Sequence, residues 1–367
     1  MRRSVCRLFW GVLLTAASAA FAQNAAPSAL HLEGDVAQTH DPSIARDGTT
    51  YYVFATGKAP GGGQLPIRCS DDLHRWRLCG RVFDQAPVWI RQTSPGTEDL
   101  WAPDISFSHG EYRLYYAYSL FGKNLSGIAL ATNKTLDPSR SDYRWMDKGL
   151  VLKSTAADDF NAIDPATIED NSGRLWLAFG SFWSGIKMRE LDPATGKLLA
   201  SNARIYDLAA RLKPADAAPA KPGLPPDYQA VEAPFVIAHD GYFYLFVSWD
   251  LCCRGTRSTY HTMVGRSRSV TGPYLDRAGR SMAEGGGSPL IERNGVWLGP
   301  GGESALLQAP GGPDLLVFHA YSATTGRPQL QISTIGWSDG WPTVALSTEP
   351  AAEAKPGTDT TPHPPAP

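Results

Sequence analysis

The central region of this 367-residue sequence has no long run with the 3.6-residue period of an amphipathic helix. Its one sustained apolar run, Leu8 to Ala20, is shorter than the ~20 residues a membrane span needs. The first absence points to strands and turns, and the second argues against a transmembrane anchor. Charge of one sign is also lacking, with 34 Lys and Arg against 36 Asp and Glu, so nothing in the balance suits nucleic acid or an anionic membrane. No cysteine spacing resembles a zinc site. Neither a nucleophile-elbow motif nor a phosphate-binding glycine loop ahead of a helix is present, which removes the serine-hydrolase and nucleotide-binding classes.

What is present begins with a leader. Arg2, Arg3 and Arg7 precede the apolar run, which ends in Ala20-Phe21-Ala22, the layout of a secretory signal peptide over residues 1–22. Its removal takes three arginines and changes the formal charge from −2 to −5. The product is expected to be exported, to the periplasm or the medium, and to act as a monomer. Residues 349–367 are rich in Pro, Thr and Ala and too poor in apolar residues to fold. Residues 23–348 are therefore read as one domain, with Ala209 to Pro226 as a loop. Of the five cysteines, Cys6 leaves with the leader. Cys69 and Cys79 flank a hairpin and can pair across it, while Cys252-Cys253 reads equally as two thiols or as a disulfide between neighbours.

Abundant Gly (36) and Pro (29) fit many short strands joined by turns. A strand, turn, strand unit recurs five times: from Pro42 through Asp47-Gly48, from Pro103 through His109-Gly110, from Pro165 through Asp170-Asn171-Ser172-Gly173, from Pro234 through Asp240-Gly241, and from Glu303 through Gly311-Gly312. The period of roughly 65 residues is blade-sized, and five copies predict an all-β, five-bladed β-propeller. Each copy opens near an acid: Asp41, Asp104, Asp164, Glu232 and Glu303. Innermost strands line a propeller's channel, so these acids should converge.

Asp164 and Glu232 are each the only acid in an apolar approach to a strand, where a carboxylate is costly unless used or satisfied. Asp41 alone would pass for a turn cap, and Asp104, displaced to the far side of its proline, for a structural group. Two carboxyls with a third between them form the constellation that glycoside hydrolysis uses: one ionised to activate water, one protonated for the leaving oxygen, and a neighbour raising the acid's pKa. Trp89, Trp101, Tyr118, Phe121, Phe182, Trp183 and Trp249 lie on the same loops and suit stacking on sugar rings, with Asn161, Ser126 and Ser181 as hydroxyl partners.

With these residues in hand, the sequence resembles the endo-1,5-α-L-arabinanases of glycoside hydrolase family 43. The motifs are Leu100-Trp101-Ala102-Pro103-Asp104, Asn161-Ala162-Ile163-Asp164-Pro165, Phe179 to Lys187, Glu232-Ala233-Pro234-Phe235, and Cys252-Cys253-Arg254-Gly255 with Ser258-Thr259-Tyr260. The resemblance implies a secreted, inverting hydrolase of arabinan, with Asp41 as general base, Glu232 as general acid and Asp164 tuning Glu232. It implies substrate contacts at Asn161, Ala162, Ile163, Ser181, Phe182, Trp183, Ser126 and Gly127. An exo-acting arabinofuranosidase or a β-xylosidase would share the fold and the acids. A fructan hydrolase would need Asn-Asp-Pro-Asn where this chain has His40-Asp41-Pro42-Ser43, and a non-catalytic sugar-binding propeller would not require all three acids. The resemblance also implies a channel calcium held through a histidine, but the run reads Gly299-Pro300-Gly301-Gly302-Glu303, with Gly302 where that histidine would stand. No cofactor and no tightly held metal are expected, with Glu303 and then His319 as the remaining candidates.

Overall fold

A computed structural model describes residues 26–214, 227–308 and 312–349. The leader and nearly all of the tail lie outside the described residues. Within them the chain is an all-β, five-bladed propeller. The four-stranded blades are Ser43–Asp47, Thr50–Phe54, Gln64–Ser70 and Arg75–Phe83; Leu100–Ser108, Glu111–Tyr118, Ser126–Asn133 and Met146–Ser154; Ala166–Glu169, Leu175–Phe179, Ile186–Leu191 and Tyr206–Ala209; and Val231–His239, Tyr242–Trp249, His261–Ser267 and Ser288–Ile291. The fifth has Trp297–Leu306, Leu315–Ser322 and Pro328–Thr334. Ala209 thus closes an outer strand where the sequence suggested the start of a loop.

Local chemistry places the hairpins. Between His239 and Tyr242 the turn residues Asp240 and Gly241 have φ of 47° and 72°, and His109-Gly110 has 52° and 75°. Two successive left-handed residues make the turn whose twist matches antiparallel strands. In the second strand of each blade alternate side chains face opposite neighbours. Tyr116 packs toward the first blade and Tyr115 toward the third. The apolar residues fall into five clusters, one in each seam between adjacent blades, including the seam from fifth to first. Each buried Leu or Phe in such a seam contributes roughly 1.5–3 kcal/mol.

The ring closes through its N-terminal segment. Ala29 and Ala37 bridge to Ser333 and Gln329, and Leu30 N–H and Leu330 N–H bond to the carbonyls of Ile332 and Val36. Glu33–Gly34 also pairs in parallel with Arg75–Phe83 of the first blade. One stretch therefore supplies the missing edge of the last blade and fastens it to the first.

Candidate active site

The inner strands share a kink. Asp41, Ala102, Asp164 and Ala233, each just before a proline, have φ of 47°, 42°, 55° and 51°, and Gly302 takes the same place in the fifth blade at 61°. Left-handed backbone is strained for a residue with a Cβ, and such strain persists where surrounding structure enforces it. The kinks and the residues following them line a cavity of about 30 Å³ on the axis. A cavity of this size holds about one water and is too small for a sugar ring.

Register along these strands sorts the acids. Asp41 and Asp164 stand at the kink and Glu232 one residue before it, whereas Glu303 and Asp104 follow it by one and two residues. Asp104 and Glu303 are buried, whereas Asp41 is half-buried. Asp104 works in the seam, where its Oδ2 accepts from Thr167 N–H and Oγ1 at 2.9 and 2.7 Å. Glu303 Oε2 accepts from Ser248 and Thr262 hydroxyls at 2.9 and 3.1 Å. Burial raises Asp104 to about 6 and Glu303 to about 7, against the pull of those bonds.

Asp41 is treated differently. Burial would raise its pKa, but the charge and hydrogen bond of His40, the nearby His319 and the Thr56 hydroxyl together hold it well below the usual carboxylate range. Oδ2 lies 2.9 Å from His40 Nδ1 and accepts from Thr56 Oγ1 at 2.6 Å. Asp164 and Glu232 go the other way. Burial first, and then the negative charges of Glu232 and Asp41, raise Asp164 well above its ordinary value. Burial first, with Asp41 adding, raises Glu232 against the hydroxyls of Ser181 and Tyr260. Asp164 Oδ2 accepts the N–H of Ala233, the peptide following Glu232, at 3.1 Å, and Ser181 Oγ donates to Glu232 Oε2 at 2.7 Å. One carboxylate held ionised thus faces a pair that together retains a proton.

The expected contact residues separate into two sets. Ser181, Phe182 and Trp183 ride a loop in which Phe182 and Trp183 have φ of 54° and 43° and remain half-buried, as does Trp101. Ser126, Gly127, Asn161, Ala162 and Ile163 are buried; Ser126 Oγ donates to Asn161 Oδ1 at 2.7 Å and shares a bond with Ser119. Ala162 is completely covered. Trp89 sits on the short helix Val88–Thr93 with Nε1 bound to Asp147. Of the other residues around the acids, His40 precedes Asp41 in the sequence, His319 is a metal candidate and Tyr260 ends a family motif, whereas Thr56 and Tyr321 carry no sequence signal of their own. Both cysteine pairs form disulfides, which resolves the open reading at Cys252-Cys253.

His319, fully buried, stands where the sequence left a gap. A Cβ on Gly302 would come within 2.7–2.9 Å of Asp41 Oδ1 and the His319 ring, so glycine is what lets that ring enter. His40, Asp41 and His319 each bring one ligand-type atom within 4.8 Å of the others. The Asp41 N–H, however, bonds to His319 Nδ1 at 3.2 Å. Burial and the neighbouring His40 hold His319 neutral, so its proton sits on Nε2, whose hydrogen bond is unmet. The Nδ1 lone pair beside Asp41 is thus already engaged, and the set as bonded does not fit a cation.

Comparison with known proteins follows the same outline. The family model described as glycosyl hydrolases family 43 matches residues 36–342. An extracellular exo-α-(1→5)-L-arabinofuranosidase of Cellvibrio japonicus is 44% identical over 83% of this chain and 86% of its own length. An extracellular endo-α-(1→5)-L-arabinanase of Bacillus subtilis is 41% identical over the same shares. The solved structure of a Cellvibrio cellulosa α-L-arabinanase complexed with arabinohexaose superposes with a TM-score of 0.78 at 42% identity, covering 85% of this chain and 96% of that one.

Proposed function

The chain belongs to glycosyl hydrolase family 43, and from that premise we propose that it hydrolyses α-1,5-linked L-arabinan by a single inverting displacement. Asp41 is the general base, Glu232 the general acid and Asp164 the group that holds and tunes Glu232. The observation carrying this reading is the split among three neighbouring carboxyls, Asp41 kept ionised by His40 while burial raises the other two, with the charges of Glu232 and Asp41 adding at Asp164 and that of Asp41 at Glu232. An inverting reaction needs one group of each kind.

In the reaction Asp41 takes a proton from a water as that water's oxygen bonds to the anomeric carbon. The glycosidic C–O bond breaks as Glu232 gives its proton to the departing oxygen. Solvent then restores both protonation states. Asp164 keeps Glu232 protonated beforehand and its bond to the Ala233 peptide fixes the turn that presents it. Room for water requires the Asp41 and Glu232 carboxyls to stand roughly 6.5–9.5 Å apart. Proton NMR of the first-formed product should show the inverted anomer, and retention would refute the assignment.

Cleavage of internal bonds is the finer reading, and the Cellvibrio japonicus relative supports exo action as its rival. On linear arabinan an early ladder of oligosaccharides marks endo cleavage, whereas one short product from the start marks exo. Export through residues 1–22 agrees with two disulfides, which persist in oxidising compartments.

A further inference from the structure

The His40 ring is held on several sides. Nδ1 lies 2.9 Å from Asp41 Oδ2, and one face stacks on His319 with centroids 3.8 Å apart. Nε2 lies 2.6 Å from the Tyr321 hydroxyl and 3.6 Å from Cys253 Sγ. Tyr321, 2% exposed, in turn accepts the N–H of Cys253 at 2.9 Å. Cys253 is itself left-handed at φ 64°, and its disulfide to Cys252 closes a small ring on the peptide that presents this N–H. Gly299 lets the tyrosine in, since a Cβ there would stand 2.9 Å from its ring.

The direction of these bonds is set by their donors. With the Tyr321 oxygen accepting from Cys253, its hydroxyl proton can go to Nε2 of a neutral His40; if His40 is protonated, Nε2 donates to the same oxygen. In both states Nδ1–H donates to Asp41 Oδ2, and Thr56 occupies that oxygen too. Oδ1 is left to meet a water.

We propose that His40, Tyr321 and the Cys252–Cys253 loop form a positioning relay that fixes the direction in which Asp41 Oδ1 meets the attacking water, a role that rests on Asp41 being the general base. Hydrogen bonds of this kind gain value when charge transfer depends on orientation, because a small misalignment in the ground state is amplified in the transition state. The relay joins the start of the first blade to the fifth blade and to the loop after Tyr242–Trp249.

A double-mutant cycle tests it. In the otherwise native protein Tyr321→Phe should lower kcat about tenfold with KM nearly unchanged, the size of one hydrogen bond to a group coupled to charge. In an Asp41→Asn background, assayed at high enzyme concentration, the same change should cost nothing more. The paired substitution Cys252→Ala, Cys253→Ala should follow the same pattern with a smaller loss, and it carries the comparison if Tyr321→Phe lacks the native thermal transition. Equal losses in both backgrounds, or none in the native one, would overturn the relay. Native activity in Asp41→Asn would instead overturn the base assignment, whatever Tyr321→Phe does.

Discussion

Two groups of buried acids share one channel, and their neighbours give them different work. Asp104 and Glu303 lie further along the inner strands, and their partners are hydroxyls and a peptide N–H that stitch blade to blade. Asp41, Asp164 and Glu232 lie at or before the kink, where the partners include an imidazole and the carboxyls themselves. Burial alone raises any carboxyl. What distinguishes the acids proposed to react is a neighbour that splits the set into ionised and protonated members.

The sharpest way to break this contrast is to remove the reactive pair. Glu232→Ala should slow arabinan cleavage by about 10²–10⁴-fold but aryl arabinosides with acidic leaving groups far less, whereas Asp41→Ala should harm both alike. Steady-state kinetics on the two substrates read this directly, and equal sensitivity in Glu232→Ala would remove its role as acid. Next in size is Asp164→Asn. Asp164 and Glu232 interact by charge and share a proton, so with Asp164 neutralised Glu232 gives up its own proton more easily and the high-pH limb of kcat/KM should move to lower pH as the rate falls. An unmoved limb would leave Asp164 a structural part.

The seam acids should behave otherwise. Their pKa values of about 6 and 7 exceed those of an unfolded chain, so the folded state binds more protons and loses stability as pH rises from about 4 to 7. Asp104→Asn and Glu303→Gln should therefore leave activity nearly intact and raise Tm at neutral pH by about 2–4 °C, a gain that vanishes below about pH 4. Melting curves across that range decide it; a Tm loss at neutral pH would mean the charge is used. The smallest effect concerns metal. Because the His319 Nδ1 lone pair beside Asp41 is engaged by the Asp41 N–H, dialysis against a strong chelator should leave activity essentially unchanged. A large loss restored by calcium would show that the Asp41 to His319 bond is given up for an ion.

The blades were legible because each is local: an apolar run, opened in four of the five by a proline, then a short turn and a return strand. The acids at the kinks came with them. Local pattern could not show that His319 and Tyr321, from a strand some 280 residues after His40, reach the same point, since only ring closure brings the fifth blade to the first. Nor could it tell contact from support. Ser126 and Asn161 are both nearly covered, and Ser126 Oγ donates to Asn161 Oδ1. The difference lies in burial, which a motif does not record.

The edge strand that completes the fifth blade has a kinetic consequence. Ala29 pairs with Ser333 and Ala37 with Gln329, so residues near the start of the domain wait for those near its end before their hydrogen bonds can form. Four blades can gather from neighbours in sequence, but the circle is bounded by one loop-closure step whose entropy is lost before its contacts are gained. The His40 to Tyr321 bond spans the same join. A chain that has folded its blades without sealing that join would hold Glu232 and Asp164 in place while Asp41 still lacked its imidazole setting, so activity should appear in refolding only with the final, slowest phase.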